Sequence, residues 1–159
     1  MPRDPQVQQS DYQALAEFRY QIRRFVRFSE NAARATQLEP QHHQLMLAIK
    51  GKPDGEAARI AYLAERLQIQ HHSAVELVDR LVHKGLITRS RGQEDRREVY
   101  VRLTPRGERI LEELTRHTRA ELRSAAPALV ATLRQLTDRG RSRQAARRRP
   151  RTATVGKSK

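Results

Sequence analysis

The sequence predicts a mainly α-helical fold carrying one small β-hairpin. Three observations predict it. Apolar residues recur at spacings of three and four through most of the chain. One stretch, residues 86–103, instead reads as two short strands around a charged loop. That stretch directly follows two short helical segments joined by a tight turn.

The elements follow in order. Residues 1–10 are polar, hold two prolines and are expected to be flexible. A first helix is predicted from an N-cap at Asp11 to about Thr36, with Leu15, Phe18, Ile22, Phe25 and Val26 on its apolar face. Its length suggests packing against another subunit. Leu38-Glu39-Pro40 breaks it, because proline disfavours a helical residue before itself and starts the next helix well. A second helix, Gln41 to Ile49, leads to the loop Gly51-Lys52-Pro53-Asp54-Gly55. A third is predicted over Ala57 to Leu67, followed by a turn at Gln68-Ile69-Gln70. The fourth, His71 to Lys84, ends at Gly85, a residue suited to the left-handed backbone after a helix. Strands over 86–91 and 99–103 flank the loop Gly92 to Glu98. Thr104 and Pro105 then cap and open a fifth helix running to about Ser124, and Pro127 is expected to start a sixth that ends near Thr137. Six helices and one hairpin give a helix-turn-helix with a wing.

Composition narrows the function. Net charge is +14, and the nine Arg and Lys residues after Asp138 meet no acid there, leaving +5 for residues 1–138. The 138–159 segment is therefore read as a disordered basic tail, and the whole chain as suited to a polyanion, of which nucleic acid is the commonest. Cysteine is absent, which excludes disulfides and thiolate metal sites. No apolar run reaches 18 residues and the first residues lack a signal-like apolar segment, so no membrane is expected and the expected location is cytoplasmic. No nucleophile elbow, Walker sequence or G-x-G-x-x-G is present, so catalytic residues and cofactors are not expected. The pairs His42-His43 and His71-His72 invite a metal reading. Adjacent side chains diverge, however, and no H-E-x-x-H occurs, so solvated or groove-facing histidines are expected instead.

Two stretches resemble the MarR family of winged-helix transcriptional regulators. Asp95, Arg97, Leu103, Thr104 and Gly107 fit that family's wing pattern, D-x-R, five residues, L-T-x-x-G, without a gap. "LAERLQIQHHSAVELVDRLVHKGLITR", from Leu63 to Arg89, is similar to its helix-turn-helix. The resemblance covers roughly Tyr12 to Thr137. It implies a domain over 11–137 in which 57–103 form a DNA-binding lobe, while 11–37 and 104–137 supply dimerisation helices. It further implies a homodimer on a pseudo-palindromic operator, most often a ligand-responsive repressor.

In such docking the N-terminal end of the fourth helix enters the major groove of double-stranded DNA. Gln70, His71, His72, Ser73 and Glu76 lie there, with chemistry able to meet base edges or phosphates. Plainer readings stand beside these: Gln70 or Ser73 as a helix cap, and Glu76 paired with Arg80 four residues on. Arg96 or Arg97, at the wing tip, suits a narrow minor groove, and the family pattern has Asp95 orient the wing arginine. Arg89 and Arg91 are candidate phosphate clamps. The family's habit of binding small aromatic acids makes Tyr12, Arg19, Arg23, His42 and His43 candidates for an aromatic or anionic effector, against plain packing. Two rival readings remain. One is a nonspecific or architectural nucleic-acid binder driven by the tail; the other is a metal-dependent enzyme or sensor built on the histidines.

Overall fold

The computed structural model describes residues 7–54, 56–92 and 98–147. Asp95, Arg96 and Arg97, the tail from 148 and the first six residues lie outside the described residues. The element order is α1 (Gln9–Ala35), α2 (Pro40–Lys50), α3 (Ile60–Leu67), α4 (His71–His83), β1 (Ile87–Arg91), β2 (Val99–Leu103) and α5 (Pro105–Arg147). Among the described residues this is a mainly helical, winged helix-turn-helix arrangement with five helices rather than six.

The missing boundary is at Pro127, which stands inside α5 instead of opening a new helix. Proline lacks an N–H, so the carbonyl of Arg123 loses its helical donor. Both residues are exposed, which leaves that carbonyl open to water. The helix also continues past Thr137 to Arg147, through Gly140. Arginine, glutamine and alanine are strong helix formers, and their run at 143–147 sustains the helix where charge alone suggested an unfolded tail. At the other end, α1 starts at Gln9 and not after Asp11. The backbone N–H of Gln8 donates to Asp11 Oδ2 at 2.9 Å, so the carboxylate caps from within the first turn.

The described residues group into two compact units, one of residues up to 24 with those from 123 onward, the other of residues 25–122. The first buries Ala14, Gln21 and Thr132 but leaves Tyr12, Leu15, Tyr20, Ile22, Val130 and Leu133 exposed. The second is wider than a 57–103 lobe because its core draws on helices to either side. Ala33, Leu45, Met46, Ile49, Leu111 and Leu114 pack in one cluster with Leu63, Val78, Leu81, Ile87 and Val101.

Within the second unit, three helices end in the same way. Leu38, Ile69 and Leu86 donate back to Ala33, Ala64 and Leu81, at 3.1, 3.0 and 3.0 Å. Gln37, Gln68 and Gly85 take the left-handed backbone at φ 61°, 55° and 67°. These bonds satisfy carbonyls that a helix end leaves orphaned. Gln68 adds a side-chain bond to the Glu65 carbonyl at 2.8 Å, which helps a non-glycine residue hold that conformation.

The third helix starts three residues later than its composition suggests. Ala58 and Arg59 are extended and edge the hairpin instead: Val101 N–H donates to Ala58 O at 2.9 Å, and Arg59 bridges to Tyr100. The hairpin is antiparallel, pairing Ile87 with Leu103, Arg89 with Val101 and Arg91 with Val99. Thr104 closes it onto α5. Its N–H donates to Leu86 O at 3.0 Å, and its hydroxyl donates to Gly85 O at 2.9 Å and accepts from Gly107 N–H at 3.0 Å. A Cβ on Gly107 would stand 2.1 Å from Leu86 O, so only glycine fits there.

His42 and His43 are buried, each 2% exposed, contrary to the expected solvated or groove-facing histidines. Both are on α2, whose Leu45, Met46 and Ile49 enter the core and carry the pair inside with them. Neither ring nitrogen of His42 has a hydrogen-bond partner among the described residues. Burial holds both imidazoles below their ordinary value of 6.5, and for His42 nearby Lys84 and Arg80 add to this against Glu39.

Two predictions follow from this packing. Gly107→Ala should lower stability by about 1–3 kcal/mol, since Leu86 O is backbone and must shift to admit the methyl; urea unfolding measures it. A neutral histidine in the fold and a protonated one in the unfolded chain give stability that is complete above about pH 6.5 and falls as pH drops through it. His42→Leu should therefore lose less melting temperature than wild type between about pH 7.5 and about pH 5.5, with His43 accounting for what sensitivity remains.

Candidate nucleic-acid interface

The bonds that end α3 and the immediate start of α4 fix a three-residue turn, Gln68 to Gln70. Gln70 occupies the cap position of α4 with extended backbone and no side-chain cap bond, so its amide group is not consumed by the helix. No acid lies in the first turn of α4. Its orphan N–H groups and the positive end of the helix dipole are thus available to an anion. His71 and His72 are exposed beside them and Ser73 is half-buried.

Helical periodicity divides α4 cleanly. Ala74, Leu77, Val78 and Leu81 are buried, while His72, Glu76, Asp79, Arg80 and His83 form the exposed face. That face is not simply basic. Glu76 and Arg80 pair at 3.3 Å, the plainer expectation for that spacing. Asp79 forms an ion pair with Arg89, which reaches over from β1. Arg91, further along β1, is exposed and has no ion pair among the described residues.

The wing tip lies outside the described residues, but its base is clear. Gly92 N–H donates to Glu98 O at 2.9 Å, closing the loop. Glu98 then accepts from Tyr100 OH at 2.6 Å and pairs with Arg59 at 3.1 Å. The Arg59 guanidinium stands 5.9 Å from the Tyr100 ring centre, a cation–π contact. The bond to Glu98 raises the Tyr100 phenol above its ordinary 10.0, keeping it a donor. This cluster ties the hairpin base to the segment before α3.

The structure therefore gathers Gln70, His71, His72, Ser73, Glu76 and Arg80 along α4 and brings Arg89 to the same helix. Tyr12, Arg19 and Arg23 are exposed on α1 in the first unit, whereas His42 and His43 are buried in the second. No three His, Asp or Glu among the described residues stand close enough to hold a metal ion. No helix among them is long and apolar enough to cross a membrane. Asp79, Arg59, Glu98 and Tyr100 were not singled out by their sequence. The pairs they make span a turn or two elements, and no helical or strand period connects them.

Residues 36–98 match the model of the MarR family. None of the curated proteins matches the chain. Solved structures do. AbsC, a MarR family transcriptional regulator from Streptomyces coelicolor, is 16% identical with a TM-score of 0.67, over 90% of this chain and 99% of that one. Wild-type apo MarR from E. coli is 19% identical with a TM-score of 0.63, over 86% and 98%. BpsR from Bordetella bronchiseptica, described for regulation of its DNA binding by 6-hydroxynicotinic acid, is 23% identical with a TM-score of 0.56, over 76% and 89%. The matched segment begins at the end of α1 and stops at the base of the wing, so it contains α2, α3, the turn, α4 and β1. Residues 36–98 are thus similar in sequence to the MarR family, and over most of its length the chain shares the winged-helix fold of these structures.

Proposed function

We propose that the chain is a transcriptional regulator, acting as a ligand-responsive repressor, that binds a pseudo-palindromic operator in double-stranded DNA as a homodimer. The observation that carries this reading is α4. Its N-terminus is unblocked by side-chain caps or acids, its outer face is polar, and the hairpin stands beside it. In docking of this type α4 takes the major groove through Gln70, His71, His72 and Ser73, and the arginine wing tip takes the minor groove. Arg89 and Arg91 contact phosphate.

Two-fold symmetry would set the α4 helices of the two subunits about 34–36 Å apart, one turn of DNA. The exposed Leu15, Ile22, Val130 and Leu133 support self-association, since a monomer gains nothing from leaving them wet. By analogy with BpsR, whose DNA binding 6-hydroxynicotinic acid regulates, the effector is a small aromatic acid. It favours a spacing of the α4 helices that no longer fits the operator. Tyr12, Arg19 and Arg23 offer exposed hydrogen-bonding and cationic groups to it. His42 and His43 contribute only if the buried α2 face opens.

Footprinting with duplexes selected from a random pool should show a protected dyad. Removing residues 139–159 should weaken binding and flatten its salt dependence while preserving preference for the selected site. Binding that vanishes with the tail, or that is equal on random DNA, would instead favour the architectural reading. Replacing both Leu15 and Ile22 with Glu should convert a sedimenting dimer to monomer and abolish the protected dyad.

A further inference from the structure

The exposed face of α4 presents two carboxylates, Glu76 and Asp79, toward the partner proposed above, in a chain of net charge +14. Phosphate repels carboxylate, so their presence needs a physical account. Each is ion-paired to a guanidinium: Glu76 to Arg80 on the same helix, Asp79 to Arg89 on β1. The second pair differs in kind. It joins two elements, and it involves the one arginine that β1 directs to α4. About half of each partner's side-chain surface is exposed, 53% for Arg89 and 50% for Asp79, so water and a polyanion can both reach it.

We infer that Asp79 is a specificity-determining residue that restrains Arg89. Resting on the DNA-binding reading, the pair acts in two ways. The carboxylate offsets the charge of the guanidinium, so a passing phosphate gains little by capturing it. It also fixes where the guanidinium sits. An arginine side chain otherwise loses rotamer freedom with each contact it makes, and a planar fork held in place loses less. Random DNA is thus denied one freely adjusting phosphate contact, while a matching site keeps an arginine already aimed. A chain with this much positive charge gains site preference by restraining cations close to the bases, and Asp79 is placed to do so.

The test uses the full chain with a duplex selected from a random pool and a scrambled duplex of the same length and composition. Binding is measured across a salt series for wild type, Asp79→Asn, Arg89→Gln and the double variant. Asp79→Asn is isosteric at a half-exposed position, and an unchanged thermal melt checks that it folds. It should bind the scrambled duplex several-fold more tightly. The slope of log affinity against log salt should steepen by about 0.9, the value of one added phosphate contact. The selected duplex should gain less, so the preference narrows. In the Arg89→Gln background, the same Asp79→Asn change should lose most of its effect.

Three results overturn the inference: an unchanged salt slope in Asp79→Asn, an equal gain on both duplexes, or a full effect without Arg89, which would mean simple repulsion by the carboxylate. If wild type itself prefers neither duplex, the regulator reading fails and this inference fails with it. Retained preference with an unchanged slope sinks the inference alone.

Discussion

The carbonyl of Leu86 is where the wing, the helix before it and the helix after it meet. It accepts from Thr104 N–H, while Thr104 reaches Gly85 O with its hydroxyl and caps the start of α5 with the same oxygen. Gly107 passes so close to Leu86 O that no side chain can stand there. Two residues after α4, Gly85 and Leu86, and one before α5, Thr104, thus share a single hydrogen-bonded junction, and Ile87 and Leu103 begin the hairpin ladder directly beside it. The direction in which the wing leaves α4 is decided at this point. Backbone-to-backbone contact of this kind tolerates little adjustment, because neither partner has a rotamer to change.

Much of this was legible in the sequence because the constraint falls on residue types with few substitutes. Thr104, Pro105 and Gly107 each do something that their neighbours cannot: cap, fix φ, and leave room. Gly85 announces its left-handed backbone for the same reason. The turn between α3 and α4 was placed correctly although Gln68, not glycine, adopts the left-handed conformation. Its position followed from the apolar spacing on both sides.

What was not legible has common causes. Ala57-Ala58-Arg59 has good helix propensity, yet pairing with β2 holds its last two residues extended, and propensity yields to tertiary hydrogen bonds. Pro127 looks like a boundary because one lost hydrogen bond is easy to see in a sequence, whereas the surrounding turns that outweigh it are not. His42 and His43 gave no sign of burial because the apolar positions of α2 are nearly consecutive and mark no single face. Asp79 and Arg89 are ten residues apart across a helix end, a turn and a strand start. Only the folded junction makes them neighbours.

A two-stranded ribbon standing out from a protein also poses a problem of association, since each outer edge offers unpaired backbone groups to any passing strand. Here the two edges are handled differently. Ala58 and Arg59 lie along β2 and occupy part of its free side. Along β1, which pairs only with β2 among the described residues, Arg89 and Arg91 stand at alternate positions, with Thr88 before the first and Ser90 between the two. A second chain laying a strand there would bring like charges together and desolvate them. Arg91, exposed and without an ion pair among the described residues, keeps an uncompensated charge on that edge, while Asp79 offsets the charge of Arg89. Replacing both arginines with neutral β-formers would expose a new adhesive seam while leaving the fold's core untouched.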